Sequence, residues 1–188
     1  RGNTSVNIFI SYQRADTLYA AHAVGYALRL EGHDVFVDTG SISGGQRYPE
    51  VISNAVSTAH VMLALIAPAF NWARLRVPTS VVAFEWRRAQ FHGSGVVPVV
   101  IDDGKIAADE SLPPELRWVT KRDAYALRPA SLSADIKTVV DAIPFLAGTP
   151  RRAARVLWVD DQPANNERER KLLRQHGIVF DNVVSTEE

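Results

Sequence analysis

Apolar runs of strand length alternate along this chain with longer stretches in which apolar residues recur every three or four positions. VNIFIS, from Val6 to Ser11, is a run of the first kind and predicts a buried strand. Asp16 is placed to cap a helix whose Leu18, Ala21, Gly25 and Leu28 share one face, with Gly32 ending it. DVFVD then predicts a second strand. Beyond the loop TGSISGGQR, Tyr48, Val51, Ile52, Ala55, Val56 and Ala59 fall at the steps of a helix with one buried face. HVMLALI is the third strand, followed by a loop with Pro68 and Pro78, a helix through SVVAFEWRRAQ and a fourth strand, GVVPVVI. The prolines of LPPEL argue for an irregular connection, and DAYALRP reads as a short edge strand. A last helix sets Ile136, Val139, Val140 and Ile143 on one face.

Strand and helix in alternation imply a parallel sheet covered on both faces, a doubly wound α/β domain, because parallel strands need crossover connections. Such sheets bind ligands outside the carboxyl ends of their strands. Those ends carry SYQR, DTGSISGGQR and APAFNW, which gathers Tyr12, Arg14, Asp38, Gly44, Gly45 and Trp72 at one crevice, with the helix of Glu85 beginning nearby. Glu85 stands out because Val81, Val82 and Ala89 share its helical row, whereas Arg88 lies three residues on. It reads either as a solvated glutamate in a weak surface ion pair or as a carboxylate set in a partly apolar wall. Gly44 and Gly45 read as turn residues as readily as a phosphate cradle, and Tyr12 and Phe36 as core or rim aromatics as readily as stacking surfaces. No GxGxxG or GxxxxGK[ST] follows the first strand, which disfavours a dinucleotide fingerprint or a P-loop.

Composition narrows the function classes. The chain has 188 residues, 46% hydrophobic and 22% charged, an ordinary globular mixture with room for one sizeable domain and an appendage. Lys+Arg and Asp+Glu are both 21, so no overall basic footprint suits nucleic acid or an anionic membrane, and neither is expected as a partner. Without cysteine there is no disulfide framework, thiolate metal site or cysteine nucleophile. The histidines, His22, His33, His60, His92 and His176, show no metal-ligand spacing, so no metal is expected. The longest apolar runs, VMLALIAPAF and VVPVVI, fall short of the ~20 residues of a membrane helix, and the expectation is a cytoplasmic protein.

NIFISYQRAD, GHDVFVDTGSISGGQRYPEVISNAV, VMLALIAPAF, FEW on a helix and VVPVVID together resemble a TIR (Toll/interleukin receptor) domain of the bacterial type. The resemblance runs from about Val6 to Ile143, within an expected domain of 1–146. It implies a flavodoxin-like parallel sheet, immune or toxin signalling, and homotypic contacts with other TIR domains, often through the loop after the second strand. It also implies cleavage of NAD at the nicotinamide glycosidic bond, with NAD as substrate and no cofactor. The family's glutamate in the helix after the third strand falls on Glu85. By the same resemblance Tyr12 and Phe36 would flank the nucleotide, Arg14 would face its phosphates, and the loop from Gly40 to Arg47, with Gly44 and Gly45, would gate the site or pack on a neighbouring subunit. Many members carry a tryptophan four residues before the glutamate, where this chain has Val81, and Trp86 or Trp72 would then supply the stacking surface. A TIR module that only associates, without catalysis, is the other function this family implies.

After the small-residue and basic linker of 147–154, residues 155–188 read as strand, helix, strand and resemble the start of a response-regulator receiver. Asp160 and Asp161 sit where receivers keep a magnesium-holding pair, or they form a simple turn at a strand end. The receiver's phosphoacceptor lies on a third strand that these residues do not include, and the output of a phosphorelay is a third functional reading.

Overall fold

The computed structural model describes residues 5–37, 48–148, 155–159 and 179–183. Five strands, β1 (Asn7–Ser11), β2 (Asp34–Val37), β3 (Val61–Ile66), β4 (Gly95–Ile101) and β5 (Tyr125–Leu127), form one sheet in the order β2-β1-β3-β4-β5. Every pairing is parallel. This is the flavodoxin-like doubly wound arrangement, and its strand order reverses between β1 and β3. The short segment at Tyr125 takes the edge beside β4, as its length and flanking proline suggest.

Helices α1 (Arg14–Leu30), α2 (Tyr48–Thr58), α3 (Val81–Phe91) and α4 (Leu132–Ala147) cover the two faces. Alternation along the strands divides the core. Ile8 and Ile10 of β1 pack with Ala21, Val24 and Leu28 of α1 and with Val139 and Ile143 of α4. Phe9, between them, faces the other way and packs with Ile52 and Val56 of α2 and with Ala83, Trp86 and Ala89 of α3. β3 is buried at all six positions, which explains why its sequence is continuously apolar rather than alternating.

One boundary differs from the sequence expectation. α1 begins at Arg14 with Gln13 as its N-cap, so Asp16 lies inside the first turn instead of before it. Thr17 N–H already donates to the Gln13 carbonyl at 3.3 Å, which closes the first turn three residues earlier than the capping pattern indicated. The LPPEL region leads into a connection without α-helix, in which Pro114–Lys121 winds into a 3-10 helix that buries Leu116 and Val119. Proline tolerates the first position of a helix, where its missing N–H has no partner to lose. The end of α1 is as expected, with Gly32 at φ 87 directly after the Glu31 cap.

α4 is tied down at its start by Asp135. The Arg128 side chain donates to its carboxylate at 2.8 and 3.1 Å, the Arg128 backbone N–H at 2.9 Å and the Ser131 hydroxyl at 2.8 Å. These donors, the Arg128 guanidinium first, hold the Asp135 carboxyl far below the usual carboxylate range. A depressed folded-state value means that this contribution to stability is fully present above the unfolded aspartate value of about 3.9 and fades as pH falls towards the folded one. Asp135→Asn is therefore expected to lower the thermal midpoint at pH 7, with the gap to the parent protein closing as the melts are taken below about pH 4. A gap that stays constant from pH 7 to pH 3 would assign the loss to packing instead.

Strands β6 (Arg155–Val159) and β7 (Val179–Val183) form a separate two-stranded sheet, paired in parallel from Arg155 opposite Val179 to Val159 opposite Val183. The intervening residues, with Asp160 and Asp161, lie outside the described residues.

Candidate active site at the strand-order reversal

Glu85 sits one turn into α3. That helix starts where it does because Ser80, in extended conformation, accepts from the Ala83 N–H through its hydroxyl at 3.3 Å. The glutamate is only 4% exposed, so the structure sets aside the reading of a solvated surface carboxylate. Burying a carboxylate is costly unless hydrogen bonds replace its water. One such bond comes from Ser11, whose hydroxyl donates to Glu85 Oε2 at 2.5 Å. Ser11 is the last residue of β1, paired with Ala64 of β3, which fixes the glutamate at the carboxyl end of the sheet and at the reversal of strand order. That is where ligands bind in doubly wound folds.

Trp86, next to the glutamate, is fully buried. Its indole Nε1–H donates to Ser11 Oγ at 3.0 Å. Around it stand Phe70, stacked with ring centroids 5.8 Å away, Trp118 at 5.6 Å and Trp72 edge-on at 6.3 Å. These rings brace the middle of α3 against the loop that follows β3 and against the 3-10 helix Pro114–Lys121. With no ring face exposed, Trp86 serves as a support behind the site and not as the stacking surface the sequence suggested. Trp72 is half-buried and tilts against Phe70 at 4.6 Å, so part of its ring remains at the surface.

The other candidate residues divide between the two sides of the sheet. Phe36 stacks on Phe9 at 5.2 Å and is half-buried on the α2 and α3 side, the side of Glu85. Tyr12 is buried in the opposite core layer, with α1. Arg14 is exposed at the first residue of α1. Asp38, Gly44 and Gly45 lie outside the described residues. Arg88, the neighbour expected for a surface ion pair, points its Nε to the Ser53 carbonyl of α2 at 3.4 Å.

Two residues of this region were not singled out by the sequence. Ser11 is one: counting by twos from Phe9 places it on the α3 face, but nothing local shows that it meets a glutamate 74 positions on. Gln13 is the other. Its amide nitrogen donates to the Asn71 carbonyl at 3.3 Å, and its oxygen accepts from the Asn71 N–H at 2.8 Å. That pair clips the loop after β1 to the loop after β3 and holds the two rims of the crevice at a fixed separation. Among the described residues no cluster of His, Asp and Glu could hold a metal ion, and no helix is long and apolar enough to cross a membrane.

A family model described as TIR domain matches residues 8–138, which spans β1 to the middle of α4 and does not reach β6 or β7. Among solved structures, the TIR domains of the activated Roq1 resistosome directly recognizing the pathogen effector XopQ superpose with a TM-score of 0.59 at 16% identity, covering 74% of this chain and 99% of that one. A prokaryotic SEFIR domain gives 0.49 at 19% identity over 74% of this chain and 99% of the other. A metazoan TIR-STING receptor from C. gigas, in complex with 2',3'-cGAMP, gives 0.48 at 19% identity over 74% of this chain and 41% of that receptor. No curated protein matches the sequence.

Proposed function

The chain belongs to the TIR domain family, and on that premise we propose that it is an NAD glycohydrolase acting through Glu85 and activated by self-association. The observation that carries the reading is a buried, hydrogen-bonded carboxylate at the strand-order reversal, in the helix after the third strand. A surface glutamate would need no such support.

A single carboxylate suffices for this chemistry. Ordinary glycosidases pair two because the leaving oxygen must be protonated while the second group meets the oxocarbenium ion. In NAD the C1′–N bond breaks with its electron pair passing to the pyridinium ring, so nicotinamide leaves neutral and needs no proton. Glu85 then faces the positive charge that develops at C1′. Water adds to C1′ and gives up a proton, yielding ADP-ribose, or an adenine nitrogen of the same molecule attacks and yields a cyclic form. Phe36 and Trp72 are half-buried aromatic residues on the glutamate's side of the sheet, and Arg14 is a cation at the rim for the diphosphate. The loop from Gly40 to Arg47, by the family resemblance, would complete the site across a contact with a neighbouring subunit.

If that loop closes the site across a subunit contact, nicotinamide release per molecule rises with protein concentration, on the order of tenfold or more across the association range, because only assembled sites are competent. Release is measured by chromatography at increasing protein with NAD fixed. Activity strictly proportional to enzyme over that range places a complete site within one subunit. No release at any concentration leaves the family's other role, an interaction module without catalysis.

A further inference from the structure

Three buried polar groups stand in line at the carboxyl end of β1: the Trp86 indole, the Ser11 hydroxyl and the Glu85 carboxylate, with residue exposures of 0%, 1% and 4%. The chemistry of the groups sets the direction of the line. An indole nitrogen can only donate, so the Ser11 oxygen accepts from it at 3.0 Å. The hydroxyl keeps one proton of its own, and its acceptor is Glu85 Oε2 at 2.5 Å.

Two of the three groups, the middle one and the indole, are held by their surroundings. Ser11 is fixed by the parallel ladder of β1 and β3, and Trp86 by the packed rings of Phe70, Trp72 and Trp118. The Glu85 side chain has several rotatable bonds, so its carboxylate depends on its hydrogen bonds for a fixed place. We propose that Ser11 is the positioning residue for Glu85: its hydroxyl, oriented by the Trp86 N–H, locks one carboxylate oxygen so that the glutamate meets the ribose of NAD from a single rotamer. This deepens the NAD-cleaving function proposed above and rests on it. Trp86 and Glu85 are neighbours in sequence yet point along different helical rows, and Ser11 is what joins them.

A purely structural serine, present only to satisfy a buried indole, would affect stability and leave the chemical step of the folded protein alone. The two roles part in kinetics. With the full chain at a concentration where the wild type is active, Ser11→Ala is expected to lower kcat by about tenfold to a hundredfold, the scale of a misplaced reacting group. KM for NAD should stay within about twofold, because the hydroxyl supports the transition state and not ground-state binding. Trp86→Phe keeps most of the ring packing but frees the serine proton from its orientation, so kcat falls by less, and Ser11→Ala combined with Trp86→Phe is no slower than Ser11→Ala alone. Ser11→Thr keeps the hydroxyl and recovers part of the rate if the added methyl is accommodated.

A readout independent of activity accompanies these. The Trp86 indole N–H, followed by ¹H–¹⁵N NMR, should be protected from exchange in the wild type and shift in both Ser11→Ala and Glu85→Gln. Wild-type kcat in folded Ser11→Ala, or an indole signal that Ser11→Ala leaves in place, overturns the positioning role while NAD cleavage stands. Should the assembled wild type release no nicotinamide, the NAD reading falls, and the positioning role with it, even where the indole signal moves as expected.

Discussion

Glu85→Gln is expected to reduce nicotinamide release from NAD by about a hundredfold or more, the loss seen when one preorganised electrostatic group is removed from an active site. The substitution is the most informative one because it changes charge and little else. Glutamine has the same length and shape, and its amide oxygen can accept the Ser11 hydroxyl where Glu85 Oε2 does at 2.5 Å. The Trp86 N–H can keep its bond to Ser11 at 3.0 Å. Burying a neutral amide is also cheaper than burying a carboxylate, which favours a folded variant. What it lacks is the negative charge opposite C1′ as nicotinamide departs. The check is release of nicotinamide at saturating NAD and high protein, with circular dichroism and the association state of the variant measured beside it. A folded, equally assembled Glu85→Gln protein that still releases nicotinamide at the parent rate would sink the assignment of Glu85.

Much of the fold was legible because each strand announces its burial. β3 is continuously apolar and is covered on both faces at the centre of the sheet, whereas Tyr125–Leu127 is short, flanked by a proline and found at the edge. The apolar steps of α2 and α4 matched their buried positions, with Ile52, Val56, Val139 and Ile143 all in the core. Local boundaries were less legible. The start of α1 was decided by a backbone bond to Gln13 and not by the acidic residue that looked like a cap.

The site was legible in part and for a stated reason. Glu85 could be singled out because a carboxylate in an apolar helical row is unusual, and its position after the third strand placed it near the crevice. Its support could not be read, since Ser11 and Glu85 meet only when β1 and α3 pack across the same face of the sheet. Periodicity on β1 gave the facing of Ser11 and periodicity on α3 gave that of Glu85, but neither gives the register of helix on strand. The role of Trp86 was hidden for the same reason: the family resemblance offered it as a stacking surface, and the surrounding rings show that it faces inward.

That inward packing makes Trp86→Ala the substitution with the largest expected effect on stability. Removing a fully buried indole takes away its contacts with Phe70, Trp72 and Trp118 and its hydrogen bond to Ser11. Large aromatic deletions of this kind cost about 3–5 kcal/mol, because the walls of the cavity collapse only partly. In a domain of this size each kcal/mol moves the thermal midpoint by roughly 2–4 °C, so a fall on the order of 10 °C is expected. Phe91→Ala is the internal control: the same helix carries Phe91 outward at 58% exposure, and its loss should remain within about 0.5 kcal/mol. Trp86→Phe should fall between the two, since it leaves a ring in place and removes only part of the volume and the N–H donor. Thermal melts of the three variants beside the parent protein, read by circular dichroism, decide the matter. A Trp86→Ala midpoint no lower than that of Phe91→Ala would mean that the rings do not brace α3, and the rigid end that the Ser11 bridge requires would be missing.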